Sequence, residues 1–305
     1  MYWNTLTHYS IVNVTVTEDI LDRREPLSSD VISVFSVDVE DYFHVEAFRQ
    51  VVDAADWGSM EQRVVPNTRR LLAVLAEFDV KATFFVLGWV AERNPALVIE
   101  MHEAGHEIGI HGYNHRPITM MTPLDFREDV RHAKALVEDL IGEAVLGYRA
   151  PTYSVVQDTL WALDILAEEG LVYDSSIFPI MHDRYGIPNA DRYPWQEERS
   201  GRSFAEFPIS TVRFAGRNFP FVGGGYLRLL PMRYVLWGMR RVTVVERRPC
   251  MVYIHPWEID PGQPRLQVGR AAAFRHYGRL AGVEHRIRRL LKEFSFSTTR
   301  SVLGL

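Results

Sequence analysis

The stretch NPALVIEMHEAGHEIGIHGYNH, residues 94–115, contains one complete transition from helix to strand. Its first half has Pro95 in the first turn and ends at Gly105, an asymmetry that is typical of helix termini. We therefore predict a helix over residues 94–105. The β-branched residues after that glycine predict a strand over residues 106–112. A helix followed directly by a strand is the repeating unit of a parallel sheet.

The same alternation continues along the chain from Val31. Predicted strands cover residues 31–37, 81–88, 106–112, 145–151, 171–178, 204–211 and 250–258. Predicted helices cover residues 68–78, 94–105, 123–141, 156–169, 231–241 and 270–294. Residues 179–203 have the composition of a long loop, and residues 219–231 form an insertion rich in aromatic residues and glycine. This pattern favours an α/β protein with a closed or nearly closed barrel over an open doubly wound sheet.

The composition is that of a globular protein with a large core, since 47% of the 305 residues are hydrophobic and 24% are charged. A net charge of −5 argues against nucleic acid as a partner. The single cysteine, Cys250, excludes an intramolecular disulfide. Residues 1–30 are predicted to form an N-terminal extension without a signal-peptide pattern, and no segment has the length and apolarity of a membrane span. We therefore expect a cytoplasmic protein with one barrel domain over residues 31–305.

Two histidine pairs have the four-residue spacing of metal ligands. His102 and His106 lie in HEAGH, a motif that binds zinc in proteases when both imidazoles occupy one face of a continuous helix. A helix that ends at Gly105 separates them, so we expect surface or capping histidines on the N-terminal side of the strand. His111 and His115 instead follow the C-terminal end of the strand, where barrels collect their catalytic groups.

Ionisable residues follow most of the other predicted strands at that same edge. Taken singly, each carboxylate has the alternative interpretation of an ordinary surface or capping residue. Taken together, the acids, the histidines and the arginine form a convergent set, which favours a functional site. The set consists of Asp38, Glu40, Asp41, Arg149, Asp174 and His255, beside His111 and His115.

These residues and their flanking motifs resemble the polysaccharide deacetylase family, the NodB-homology group of carbohydrate esterase family four, and most closely its branch from bacterial exopolysaccharide loci. The resemblance covers nearly all of residues 31–265. It rests on FSVDVEDYFHVEAF (35–48), GHEIGIHGYNH (105–115), GYRAPTYS (147–154), YDSSIFP (173–179), GGGYLRLLP (223–231) and YIHPWEID (253–260). It implies a distorted (β/α) barrel with about seven parallel strands, and a divalent metal, usually zinc.

The resemblance also implies roles for individual residues. Asp38 matches the general base, and His111 and His115 match the histidine ligands of the metal. The acidic ligand is open between Glu40 and Asp41, because the sequence has Asp-Val-Glu-Asp where the common pattern has two adjacent aspartates. Strand alternation returns Glu40 to the face of Asp38 and favours it, with Asp41 as its rival.

A second group of matches surrounds the general base. Arg149 matches the arginine that holds the base and favours its ionised form. Pro151 belongs to the same motif, and the backbone N–H of Thr152 is where the family forms part of its oxyanion hole. The family's usual tyrosine after that proline is Thr152 here, with Tyr153 one residue later.

A third group of matches concerns the leaving amine and the sugar. Asp174 and His255 match a pair in which a carboxylate orients a histidine that acts as general acid. Trp257 and Glu258 are candidate contacts to sugar at the rim of the site.

The implied reaction is metal-assisted hydrolysis of N-acetyl groups on amino sugars of a polysaccharide or its lipid-linked precursor, in exopolysaccharide biosynthesis. Two alternatives stay open. Relatives with the same barrel open cyclic ureides or imides with the same metal, and a catalytically silent glycan-binding protein would keep the scaffold. The intact set of Asp38, Arg149 and His255 argues against a silent protein, because binding alone needs neither a base nor an acid.

Two further features have both a functional and a structural interpretation. Aromatic residues that would either stack on sugar or pack in the core are Trp195, Phe214, Phe219, Phe221, Tyr226 and Trp257. The C-terminal helix combines the basic residues Arg270, Arg275, Arg279, Arg286, Arg288, Arg289 and Lys292 with the apolar residues Phe274, Leu280, Val283, Ile287, Leu290 and Leu291. Such a helix can make peripheral contact with anionic membrane, but we favour an outer barrel helix with a solvated basic face.

Overall fold

The structure, a computed structural model that describes residues 31–305, is built around one nine-stranded sheet. The strands in chain order are β1 (Ser33–Val39), β2 (Thr83–Val86), β3 (Glu107–Ile110), β4 (Gly147–Tyr148), β5 (Tyr173–Asp174), β6 (Trp195–Arg199), β7 (Arg202–Glu206), β8 (Thr211–Phe214), β9 (Arg217–Pro220), β10 (Met251–Ile254) and β11 (Phe296–Ser297). Strands β8 and β9 form a separate antiparallel hairpin. The predicted extension over residues 1–30 lies outside the described residues, so the division into two parts stays a prediction.

The strand order in the sheet is β10-β1-β2-β3-β4-β5-β7-β6, and β11 also pairs with β1. Every pair from β10 to β7 in this order is parallel, and only β6 runs antiparallel to its neighbour. The predicted α/β fold with about seven parallel strands is therefore confirmed.

Side chains close the barrel between β7 and β10, where backbone hydrogen bonds do not. In the described part of the chain, β7 and β10 do not pair with each other. The gap is bridged by Ser210, whose Oγ accepts a hydrogen bond of 2.7 Å from the backbone N–H of Met251. Phe207 and Ile209 share a buried cluster with Met251 and Tyr253. The result is a distorted barrel in which one seam depends on packing.

Helices connect the strands and cover the outside of the sheet. They are α1 (Val64–Glu77), α2 (Gly88–Arg93), α3 (Pro95–Glu103), α4 (Pro123–Ile141), α5 (Trp161–Glu168), α6 (Gly224–Leu229), α7 (Met232–Arg240), α8 (Arg270–Tyr277), α9 (Val283–Glu293) and α10 (Thr299–Leu303). Helix α3 ends as predicted, because Gly105 adopts a φ of 81° just after it. Helix α4 also has its predicted bounds, set by a Thr122 capping box and by Gly142 in the left-handed conformation.

The structure differs from the sequence-based prediction in the second half of the chain. The predicted loop 179–203 contains β6, an edge strand whose charged residues give no hydrophobic alternation. The predicted strand 204–211 is divided between β7 and β8. The predicted insertion 219–231 contains the end of β9 and all of α6.

The predicted C-terminal helix 270–294 is two helices, because the chain turns at Gly278 and Arg279 takes a φ of 59°. Helix α9 packs its apolar side chains into the core, namely Val283, Ile287, Leu290 and Leu291. This packing supports the outer barrel helix that the sequence favoured. No helix of residues 31–305 combines the length and the apolar composition that a membrane span requires.

Candidate functional site

Three residues at the C-terminal ends of β1 and β3 converge as potential metal ligands. Glu40 directly follows β1, His111 directly follows β3, and one ligand atom from each of Glu40, His111 and His115 lies within 4.8 Å of the other two. His111 Nδ1 is 2.8 Å from the carbonyl oxygen of Arg149. Since a carbonyl only accepts, Nδ1 carries the hydrogen, and the lone pair of Nε2 is free to bind a metal ion. Burial lowers the pKa of His111 to about 4, so the imidazole is neutral, as ligation requires.

The carboxylate of Glu40 supplies a test of whether these residues suit a cation. Its Oε2 is buried and has no hydrogen-bond partner, although His115 Nε2 lies 2.7 Å away. Burial opposes the ionisation of Glu40, but the neighbouring His115 outweighs it and holds the pKa below its ordinary value. A buried carboxylate oxygen that lacks a hydrogen-bond donor and lies beside two imidazoles is a position that a divalent cation would satisfy. The donor set of two nitrogens and one oxygen suits such a cation.

The backbone conformation of His115 is unusual for a side chain of its size. Its φ is 50°, in the left-handed region that residues other than glycine rarely adopt. The turn brings its imidazole back toward His111, with ring centroids 5.3 Å apart. Strain of this kind is found mainly where a site holds a side chain in place.

Asp41 has a structural role in this site. Its Oδ1 accepts from the backbone N–H of Tyr42 at 2.9 Å, and its Oδ2 accepts from those of Arg63 at 2.6 Å and Val64 at 2.8 Å. Val64 is the first residue of α1, so Asp41 caps that helix from a distance in sequence. Burial raises the pKa of Asp41 to about 6. The structure therefore groups Glu40 rather than Asp41 with the histidines.

Asp38 is held from two sides inside the barrel. Arg149 Nη1 lies 2.7 Å from Asp38 Oδ1, and the Tyr153 hydroxyl donates to Oδ2 at 3.3 Å. Arg149 is fully buried and is fixed in turn by Ser36 Oγ at 2.8 Å and by Ser175 Oγ at 2.8 Å. The carboxylate is thus paired with a rigid cation and faces the metal-ligand group.

The carboxylate that contacts His255 is Glu258, which corrects the predicted Asp174–His255 pair. His255 Nδ1 is 3.1 Å from Glu258 Oε2, and Arg228 Nε donates to Glu258 Oε1 at 3.0 Å. Asp174 instead bonds to Ser176 Oγ at 2.6 Å. Glu258 is fully buried, so it is not the predicted rim contact to sugar. The prediction took the partner from the end of β5, whereas Glu258 contacts His255 from the single turn that follows β10.

Protonated His255 is strongly favoured in this arrangement. Burial lowers its pKa, but the hydrogen bond that His255 donates to Glu258 and the charges of Glu40, Glu258 and Asp38 outweigh burial and raise the pKa to about 9. His255 Nε2 lies 3.8 Å from Asp38 Oδ2 and 3.6 Å from Glu40 Oε1. A charged imidazolium therefore faces both carboxylates and is able to donate a proton at neutral pH.

These groups face one cavity of about 240 Å³. Of the predicted residues, the cavity is lined by Asp38, Glu40, His111, His115, Thr152, Tyr153, His255 and Trp257. Thr152 has a φ of 59° and Tyr153 a φ of 53°, which turn the chain after Pro151 toward the cavity. Arg149, Asp174 and Glu258 lie behind the lining.

Comparison with known proteins agrees with this geometry. The family model for polysaccharide deacetylases matches residues 55–170, a range that includes His111, His115 and Arg149. This part of the chain matches the polysaccharide deacetylase family. A second model, a domain of unknown function (DUF3473), matches residues 175–304 and includes His255.

Curated relatives match this chain over part of their length. A peptidoglycan-N-acetylglucosamine deacetylase of Bacillus cereus is 32% identical over 98 residues, which are 32% of this chain and 36% of the relative. The aligned part spans 32% to 38% of the first curated relatives.

Two crystal structures share the fold over almost the whole chain. A protein assigned as a polysaccharide deacetylase from Mycobacterium smegmatis has a TM-score of 0.59 and 21% identity, over 92% of this chain and 93% of that one. Puue allantoinase has a TM-score of 0.60 and 17% identity, over 92% and 91%. At these identities the likeness shows the distorted barrel fold.

Several residues of the site were missed in the sequence. Arg228, Tyr253 and His276 also line the cavity. The available signal was the GGGYLR motif, since Gly223 has a φ of 91° and a Cβ there would lie 2.2 Å from the Tyr253 ring. That glycine lets the segment before α6 approach Tyr253, which brings Arg228 to Glu258.

Three aromatic rings stack on one another, and His255 is the first of them. His255 stacks on Trp257 at 5.1 Å between centroids, and Trp257 stacks on His276 at 4.2 Å. Trp257 Nε1 also donates to Glu40 Oε1 at 3.2 Å. Trp257 therefore contacts both Glu40 and His255.

The other predicted aromatic residues have separate locations. Phe221 is fully buried in the core, so it is not available to stack on sugar. Phe214 is exposed on the β8–β9 hairpin, and Trp195 lies on the edge strand β6. Phe219 and Tyr226 line a second cavity.

The first histidine pair lies outside the site. His106 is buried, and its Nδ1 accepts from the backbone N–H of Ala82 at 3.1 Å, which corrects the expectation of a surface residue. His102 lies 4.0 Å from Glu143, just beyond the end of α4. Gly105 separates the two histidines, as predicted.

Proposed function

We propose that this member of the family removes N-acetyl groups from amino sugars of a polysaccharide or its lipid-linked precursor, in exopolysaccharide biosynthesis. The observation that carries the proposal is the convergence in one cavity of three potential metal ligands, a carboxylate paired with arginine and a protonated histidine. The family model and the name of the Bacillus cereus relative support an N-acetylated sugar as substrate.

We assign Glu40, His111 and His115 as ligands of a divalent cation, with zinc as the expected ion. Bound there, such a cation lowers the pKa of water and polarises an acetyl carbonyl oxygen. The three backbone hydrogen bonds of Asp41 argue against it as a ligand.

The remaining chemistry belongs to the chain itself. Asp38 takes the proton of the attacking water, and Arg149 balances the charge of the carboxylate before that transfer. The backbone N–H of Thr152, at the edge of the cavity, donates to the oxyanion. His255 gives its Nε2 proton to the departing sugar amine, while Glu258 fixes the other ring nitrogen. The products are acetate and a free amine on the sugar.

The test is acetate release from N-acetylglucosamine oligosaccharides by zinc-loaded protein, compared with ring opening of hydantoin under the same conditions. Acetate release without ring opening supports the proposal. Ring opening without acetate release would assign a small cyclic amide as substrate, and binding of oligosaccharide without either reaction would assign a silent glycan-binding protein.

Asp38→Asn tests the assignment of Asp38 as the general base. We expect it to keep the metal and to lower kcat by about 10²- to 10⁴-fold, the usual contribution of a general base. Elemental mass spectrometry reports the metal, and acetate release reports kcat. Asp139→Asn, at an exposed position of α4, is the matched control. An active Asp38→Asn protein would remove Asp38 from this role.

The histidine assignment has its own test. His111→Ala should lose the stoichiometric metal, and His102→Ala should retain it. Metal content of the two purified variants decides between the pairs, and the reverse result would move the site to the other end of β3.

A further inference from the structure

A second cavity, of about 390 Å³, lies next to the catalytic cavity. One wall is the segment that follows β5, with Met181 and Asn189, and the other is the β8–β9 hairpin. Tyr226 lines the second cavity and its neighbour Gly225 lines the catalytic one. Tyr185 of the catalytic cavity and Tyr226 place their hydroxyl groups 3.4 Å apart. A pair of tyrosine hydroxyls therefore forms the boundary between the two cavities.

The hairpin wall is positively charged. Arg213 and Arg217 both line the cavity. Within residues 31–305, neither guanidinium forms a salt bridge with a carboxylate; Arg213 Nη2 donates only to the carbonyl oxygen of Gly216, at 3.4 Å. Guanidinium groups in a concave surface bind carboxylate and phosphate oxygens through paired N–H donors.

Asn218, which follows Arg217 and pairs with Arg213 across the hairpin, is incompletely bonded. Its Nδ2 donates to the carbonyl oxygen of Pro188 at 3.3 Å, but its Oδ1 is buried without a hydrogen-bond partner. An unpartnered buried acceptor in a cavity is satisfied by a donor such as a sugar hydroxyl. The same cavity thus offers both cationic groups and an acceptor.

Apolar side chains complete the cavity. Phe219 is 42% exposed and Met181 is 81% exposed. Tyr226 adds an aromatic ring with a polar tip. Apolar side chains beside hydrogen-bonding groups match a sugar ring, which has apolar faces and a polar rim.

We propose that the second cavity binds an anionic sugar residue of the same glycan whose N-acetylated residue occupies the catalytic cavity. The inference rests on the proposed function and deepens it, because it makes the substrate an acidic glycan of several residues. The anionic group is a carboxylate, as in a uronic acid, or a phosphate, since both suit two arginines.

The test measures KM for acetate release from hyaluronan hexasaccharide, in which N-acetylglucosamine alternates with glucuronate, and from neutral chitohexaose. We expect zinc-loaded protein to prefer hyaluronan by about tenfold, the effect of one added charge-assisted interaction. A chitohexaose that carries a phosphate monoester forms the third arm. The tighter of the two acidic glycans identifies the anionic group.

Two double variants test whether a preference for acidic glycans arises from the second cavity. Arg213→Gln with Arg217→Gln should remove the preference, and Arg233→Gln with Arg247→Gln, which removes the same charge at exposed positions outside the cavity, should keep it. Asn218→Asp should weaken binding of the acidic glycans while both arginines stay in place. Equal affinity for all three glycans, or a preference that survives the loss of Arg213 and Arg217, would overturn the inference.

Calorimetric binding to zinc-loaded Asp38→Asn protein separates this inference from the proposed function. Acetate release without an anionic preference would leave the deacetylase standing and remove the second site. An anionic preference that depends on the two arginines, without acetate release by wild type, would leave the second site standing and remove the deacetylase.

Discussion

At the scale of single residues, the most informative group is the line of contacts from Arg228 through Glu258 to His255. Arg228 and Glu258 are buried, with 3.0 Å between Nε and Oε1. Arg228 also donates to the carbonyl oxygens of Arg275 and His276, so its position is fixed by backbone. This buried charged pair holds Nδ1 of His255 in place, while Nε2 of the same ring faces Asp38. All three residues lie in residues 175–304, the part of the chain that matches the domain of unknown function.

Glu258→Gln tests this line of contacts. The amide keeps a hydrogen-bond acceptor but removes the charge, so the pKa of His255 should fall from about 9 and kcat should fall by roughly 10²-fold. Histidine signals in NMR spectra over a pH series measure the pKa. Glu197→Gln, on the partly exposed strand β6, is the control. An unchanged pKa would mean that Glu258 only fills space.

The raised pKa also gives His255 a defined effect on stability. In metal-free protein, the contribution of the charged imidazolium is fully present below about pH 6.5, the unfolded value. It is lost as the pH rises through about 9. Glu258→Gln should flatten this decline in the free energy of unfolding between pH 6.5 and 9, measured by urea titration.

At the scale of elements, Asp41 and Glu40 are adjacent in sequence and differ entirely in function. Asp41 accepts two backbone N–H groups at the start of α1, and Glu40 lies with His111 and His115 in the proposed metal site. Asp41→Ala should lower the free energy of unfolding by about 2 kcal/mol, the upper range for a helix cap, and should keep the metal. Glu40→Gln should lose the metal and retain the bond from Trp257. Urea titration and metal content decide; metal loss in Asp41→Ala alone would reverse the assignment.

Elements were predictable from the sequence where a local signal set them. Helix α4 was correctly placed because its capping box and its terminal glycine are short-range patterns. Strand β6 was missed, because an edge strand with consecutive charged residues and no fully buried face produces no hydrophobic pattern. The C-terminal helix was predicted too long, since its break depends on the left-handed Arg279 rather than on a proline.

At the scale of the whole molecule, the barrel rule explains which parts of the site were predictable. Residues after β1, β3, β4 and β10 meet at one edge because parallel strands share their carboxyl ends. The partner of Glu258 was not predictable, because Arg228 reaches it from an insertion whose path only the folded chain determines. The second cavity has the same origin, since the hairpin β8–β9 lies outside the central sheet.

The same architecture predicts how a bound metal affects the fold. Glu40 follows β1 and the two histidines follow β3, with β2 between these strands, so a cation at the site cross-links non-adjacent strands. Zinc at a hundred times its Kd should raise the free energy of unfolding by about 2.7 kcal/mol, because it binds the native state. Urea titration with and without zinc measures this gain. Glu40→Gln should lose most of it and His102→Ala should keep it. An undiminished gain in Glu40→Gln would place the metal on other residues.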